Sequence, residues 1–176
     1  EYTWSNVPFA NVWGLELEGR KDLGTWSPSL SGFGVSGNVT LIRSEARIWE
    51  DELQAIRASD PLHPETRPLF GQSPYIINAM LTYANDSAKV NAAASFNVQG
   101  EKLLLVTEGG APDIYQQPTP TLDFSLSKGF GDNIRLRFRA RNLLNPVDRK
   151  TYLFNDVYYN WLANTRGYSP TSCSRR

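Results

Sequence analysis

The chain is short of the residues that most catalytic and metal-binding proteins use. It has one cysteine, Cys173, and one histidine, His63. A single cysteine excludes an internal disulfide. With no CxxC and no HExxH pattern, it also argues against a His/Cys metal site. No run of about 18 apolar residues is present, so no transmembrane helix is expected. The chain starts at Glu1 without Met, and a charged segment followed by an apolar one is missing, so no signal peptide is visible. Charge is balanced, with 18 Lys plus Arg against 18 Asp plus Glu. That balance gives no reason to expect nucleic acid as a partner. A mean hydropathy of −0.41 is compatible with a strand-built membrane protein, because a barrel strand needs only about 9–11 alternating residues.

What is present is period-2 alternation, the signature of strands. Six segments carry it: Val12–Lys21, Phe33–Arg43, Pro74–Ala84, Ala88–Val98, Thr121–Lys128 and Asn133–Leu143. In each, apolar side chains alternate with polar ones. The clearest is the last, where Ile134, Leu136, Phe138 and Ala140 alternate with Arg135, Arg137, Arg139 and Arg141. The connections alternate too. Asn85-Asp86-Ser87 and Gly129-Phe130-Gly131-Asp132 are tight turns, and the link over 22–32 is of middling length. The links over 44–73 and 99–120 and the stretch after Asn142 are long. Short periplasmic turns opposite long extracellular loops are the pattern of an outer-membrane barrel, and structureless loops above about 15 residues are uncommon in compact domains. Glu45–Arg57 is expected to form a short helix inside a long loop, with Ile48, Leu53 and Ile56 on a rough apolar face.

The fold expected is therefore all-β: an antiparallel up-and-down transmembrane β-barrel segment of about six to seven strands, forming a curved open sheet over residues 1–168. Residues 169–176 form an atypical tail. They include Pro170, which cannot donate to a ladder, and end in Arg175-Arg176. A frameshift near codon 168 accounts for such an end, and a divergent genuine tail is the alternative. The tail is expected to be non-strand, with Cys173 unpaired.

Several motifs resemble those of TonB-dependent outer-membrane receptors, in order along the chain. Val12-Trp13-Gly14-Leu15-Glu16-Leu17-Glu18 resembles a strand near the C-terminus of that family. Gly71-Gln72-Ser73-Pro74-Tyr75-Ile76-Ile77-Asn78 resembles its "GQSPYxxN" strand opening. Leu122-Asp123-Phe124-Ser125-Leu126-Ser127-Lys128 resembles "LDLSLSK", and Asn142-Leu143-Leu144-Asn145 resembles "NLLN". The resemblance implies a barrel of about 22 strands filled by a plug. It also implies the bacterial outer membrane, uptake of a scarce nutrient (ferric siderophore, vitamin B12 or glycan), and energy supplied through TonB. Its partners would be the lipid bilayer, the plug, the remaining strands and TonB, engaged through a part of the receptor that this stretch does not contain.

No enzyme activity, cofactor or metal is expected. His63 would be the only base for a hydrolase, and it sits in a proline-bounded turn. The residues expected to line the lumen are Glu16, Glu18, Arg20, Asn38, Asn78, Asn97, Asp123, Arg135, Arg137, Arg139 and Arg141. They are either contacts for a ligand or plug, or a polar wall in which acids such as Asp123 neutralise the arginines. Charges on the opposite face would cost about 2–4 kcal/mol each at mid-membrane. Tyr75 and Tyr83, at opposite ends of one apolar face, fit an aromatic girdle. His63, Trp49, Tyr115 and Trp161 fall in or near long loops and could contact a ligand. The competing architectures are a soluble β-sandwich or lipocalin-like binding module, and an outer-membrane barrel enzyme.

Face matching also predicts registers. Tyr83 should oppose Val90, Leu81 oppose Ala92, and Ile77 oppose Phe96. Asp123 should oppose Arg139, and Phe124 oppose Phe138.

Overall fold

A computed structural model describes residues 6–107, 110–131, 133–154, 157–160 and 172–173. The strands are β1 (Ala10–Asp22), β2 (Phe33–Arg47), β3 (Thr66–Arg67), β4 (Tyr75–Asn85), β5 (Val90–Gln99), β6 (Lys102–Leu105), β7 (Ile114–Gln116), β8 (Thr121–Phe130), β9 (Ile134–Ala140), β10 (Lys150–Phe154), β11 (Val157–Asn160) and β12 (Ser172–Cys173). One helix, α1 (Glu50–Arg57), lies between β2 and β3. The fold is all-β. Six long strands form an antiparallel meander in the order β1-β2-β4-β5-β8-β9, and β3 pairs with the end of β2 to make a seven-stranded open sheet.

The six expected segments are the six long strands. Their cross-strand rows show how the two faces sort. Leu17, Val39, Ile77 and Val98 form one row, and Lys21, Val35, Leu81, Ala94, Phe124 and Ala140 another. The intervening rows point to the other face: Glu18, Asn38, Asn78, Asn97 and Thr121, then Arg20, Ser36, Met80, Ser95 and Asp123. Leu15, Leu17, Val35, Val39, Ile77, Leu81, Ala94, Phe96, Phe124, Leu126, Leu136 and Phe138 all share the apolar face. No expected lumen residue falls among them. Ile76 and Met80 are apolar intruders on the polar face.

The registers differ from those expected by two residues. Tyr83 opposes Ala92, Leu81 opposes Ala94, and Ile77 opposes Val98. A two-residue turn at Asp86-Ser87 would need positive φ at both positions, which suits Asn-Gly rather than Asp-Ser. The chain instead makes a four-residue turn. Asn85 Oδ1 accepts from the Ala88 N–H at 2.8 Å, and Lys89 takes a φ of 50°. In the β8–β9 hairpin, Leu126 opposes Phe138 and Ser125 opposes Arg139. Gly131, at φ 61°, opens the turn one residue later than expected and lets Phe130 pair with Ile134 on the apolar face. Both shifts are even, so they leave every side chain on its expected face. Phe124 and Phe138 still touch, as diagonal neighbours with centroids 6.4 Å apart.

The long connections are the larger correction. They are not plain loops. The 48–74 link contains α1, which starts at Glu50 rather than Glu45, because Glu45–Arg47 continue β2. Glu50, Asp51 and Glu52 in its first turn and Arg57 in its last complement the helix dipole. Residues after Gln99 and after Asn142 supply a second sheet, ordered β12-β11-β10-β7-β6. Ser172–Cys173 belongs to that sheet as β12, opposite Tyr158 and Tyr159, so the expected non-strand tail is corrected at those two residues. The remainder of 169–176 lies outside the described residues, as does Trp161.

The helix and second sheet cap the end of the meander reached by its long connections. This cap holds the buried core. Ile48, Leu53 and Ile56 form one cluster, with Ala46, Leu103 and Ile114 buried nearby. The six-stranded part has no comparable interior, and every residue of β1 is exposed.

Candidate functional site: a polar sheet face and a capped cavity

Two places in the fold gather polar chemistry. The first is the polar face of the meander. Pleating puts Glu16, Glu18, Arg20, Asn38, Asn78, Asn97, Asp123, Arg135, Arg137 and Arg139 on one side. Arg141, which follows the last residue of β9, continues the alternation. Asn97 donates to Asn78 Oδ1, and Asn38 Nδ2 donates to Glu16 Oε1 at 3.4 Å. Among the described residues none of Arg135, Arg137, Arg139 and Arg141 is in an ion pair. Arg137 and Arg139 stand opposite Ser127 and Ser125. Asp123 Oδ1 instead accepts the Asn142 N–H at 2.8 Å, and no ion pair forms between Asp123 and an arginine among the described residues. Asp123 is therefore not the cross-strand partner expected for Arg139. The acid is committed to the turn after β9.

That turn gives a physical meaning to two of the sequence motifs. Asn142 and Asn145 take φ of 54° and 41°, a region that Asn tolerates better than most residues. Leu143 N–H donates to Leu122 O at 2.8 Å. The Asn142–Asn145 turn and the Leu122–Lys128 strand thus lock each other at the end of the β8–β9 hairpin. The Gly71–Tyr75 motif works similarly. Gly71, at φ 73°, donates to Leu103 O; Ser73 is buried; and Tyr75 packs so closely on Gly100 that a Cβ there would lie 2.8 Å from the ring. The motif seats the start of β4 against the cap.

The second place is inside the cap. Arg67 at the end of β3 donates to Asp113 Oδ2 at 3.0 Å and to Glu52 on α1. The Arg67 and Asp113 side chains are 9% and 11% exposed, so this is a nearly buried ion triad. Burial alone lowers the Arg67 pKa, but the Glu52 hydrogen bond and the Asp113 and Glu52 charges outweigh it and hold it above the ordinary value. Burial pushes the Asp113 carboxyl above its ordinary value. The Arg67 charge and the Thr107 N–H oppose this, and the nearby Glu52 charge adds to it. One guanidinium cannot fully compensate two carboxylates.

Beside the triad is a cavity of about 420 Å³, walled by the segment after α1 and by the 110–115 segment. His63 and Tyr115, two of the loop residues expected to meet a ligand, both line it. His63 Nδ1 lies 3.1 Å from Asp60 Oδ2, and Arg57 donates to His63 O, which fixes the turn. Trp49 is elsewhere, donating from Nε1 to Asn6 O. Sequence reasoning missed Arg67, Glu52 and Asp113, whose separations along the chain carry no local pattern. Among the described residues no group of His, Cys, Asp and Glu is placed to hold a metal ion. No protein-family model, curated protein or solved structure matches the chain.

Proposed function

We propose that this chain forms part of the barrel wall and extracellular loops of a TonB-dependent outer-membrane receptor. Such a receptor takes up a scarce nutrient, and the chain itself catalyses no reaction. The observation that carries this reading is the division of the meander into one largely apolar, exposed face and one polar face, with all long connections at one end. Leu15, Leu17, Leu136 and Phe138 are each more than half exposed on the apolar face. A contiguous exposed apolar surface calls for lipid or a partner. The band is also bounded. Beyond Leu41 come Arg43 and Glu45, paired at 2.6 Å, and at the other end Lys21 lies over Trp26. From Leu41 to Phe33 the strand rises about 27 Å, at about 3.4 Å per residue. Tilted by about 40°, that is about 20 Å, near the roughly 25 Å apolar height of outer-membrane barrels. Tyr75 stands at one border, and Tyr83, its ring tilted against Phe33 with centroids 4.6 Å apart, stands at the other. Among the described residues the outer edge of the 13-residue β1 has no partner strand, which calls for a further strand.

The test uses the protein expressed from its own gene, with Cys173→Ser and single cysteines placed at Leu17, Leu81 or Leu126, or at Glu18, Asn78 or Ser127. Isolated outer membranes are labelled with a water-soluble maleimide. The first three positions should be protected and the second three should react. Equal reactivity of both sets, or a product found only in the soluble fraction, would return the chain to the class of soluble β-sandwich binding modules.

A further inference from the structure

We propose that the cap cavity is a binding site for a neutral saccharide, which names the nutrient class of the receptor and rests on the reading that the cap faces outward. The cavity lies within the roughly 300–1,000 Å³ range of small-molecule clefts. Its charges decide against an anion. Arg67 is the one permanent cation among the described lining residues, and it is already committed to Asp113 and Glu52. Two carboxylates, Asp60 and Asp113, border the same space. A phosphate or carboxylate ligand would meet net negative charge with no guanidinium left to pair with it.

The two carboxylates only accept, and the Ser59, Thr66 and Tyr115 hydroxyls both donate and accept. A carboxylate only accepts, so in the contact with Asp60 the His63 ring donates from Nδ1. Asp60 keeps its second oxygen. A ligand fitted to these groups must bring donors, and hydroxyls are neutral donors. Tyr115, Pro64, Pro68 and Pro112 give part of the wall an apolar, rigid surface. A ring with hydroxyl donors on its rim and an apolar C–H face meets both demands, with the C–H face on Tyr115. Rigid prolines also keep the cost of ordering the site low.

The experiment is calorimetric titration of the purified protein in an amine-oxide detergent, which has no sugar headgroup to compete. Maltose, cellobiose, lactose and trehalose are the neutral probes; glucose 6-phosphate and glucuronate are the anionic ones. At least one neutral disaccharide should bind, with both anions at least about tenfold weaker. Tyr115→Ala and Asp60→Asn should each weaken that binding by about tenfold, the equivalent of one lost contact. Ser31→Ala, in the exposed link between β1 and β2, should leave it unchanged. Absence of binding across the neutral panel, tighter binding of an anion, or indifference to both cap substitutions would overturn the proposal. The cysteine-labelling pattern is independent of this result. Correct labelling without sugar binding removes the saccharide site alone. Sugar binding with failed labelling removes the membrane reading and leaves the site standing.

Discussion

Gly32 and Gly71 both take positive φ, but their surroundings differ. A Cβ on Gly32 would lie 2.3 Å from Ala84 O, whereas one on Gly71 would meet nothing within 4 Å. Gly32→Ala therefore combines backbone strain with a backbone clash, and should cost about 1–3 kcal/mol. Gly71→Ala should cost about 1 kcal/mol from strain alone. Urea unfolding in detergent, followed by tryptophan fluorescence, measures the difference, and equal costs would show that the Gly32 turn yields. Asp113 carries a pH dependence. Its folded pKa lies above its ordinary value, so its stabilising contribution is full below the ordinary carboxylate range and is lost as pH rises through the raised pKa. Hydrogen exchange in β7 should therefore quicken as pH rises through that window, after correction for the intrinsic exchange rate. Asp113→Asn should flatten the profile.

The cap and the meander depend on different forces, so single changes should separate them. Replacing Arg67 with Met leaves Glu52 and Asp113 without their cation, and breaking a buried pair from one side costs about 3–5 kcal/mol. Exchange protection should fall in α1 and β7 and persist in β4 and β5. Loss of protection in all four would mean that the cap and the sheet unfold as one unit. In the sheet the decisive variable is the face. Phe96 and Asn97 are neighbours on β5 that point to opposite sides. Phe96→Arg places a charge on the apolar face and should reduce folding into lipid vesicles by about 2–4 kcal/mol, whereas Asn97→Arg on the polar face should cost far less. Equal effects would show that neither face meets lipid.

The alternation of Leu with Glu in β1, and of Leu and Phe with Arg in β9, was enough to assign each side chain to a face, because the strand period of two is a local property of the backbone. It was also enough to place six long strands and to rank their connections by length. Registers were out of reach to within two residues, because shifts of two preserve both faces. The choice fell to turn chemistry at Lys89 and Gly131. The cap was legible only as a short helix. Strands β6, β7, β10 and β11 are three to five residues long, too brief for alternation to mark them, and the pairing of β7 with β10 joins distant parts of the chain. The same holds for the site. The arginine row of β9 announces itself in sequence, yet Asp123 does not neutralise it, because the turn after β9 claims that carboxylate. Arg67, Glu52 and Asp113 come from three separate segments, and only folding brings them together. What the sequence by itself determined is therefore whatever depends on neighbours two residues apart: strand identity, the two faces, and the alternation of short and long connections. The tertiary structure decided what depends on groups far apart in the chain, namely the registers, the capped end, the buried ion triad and the cavity beside it. Those contacts gain their energy only after the intervening loops have closed.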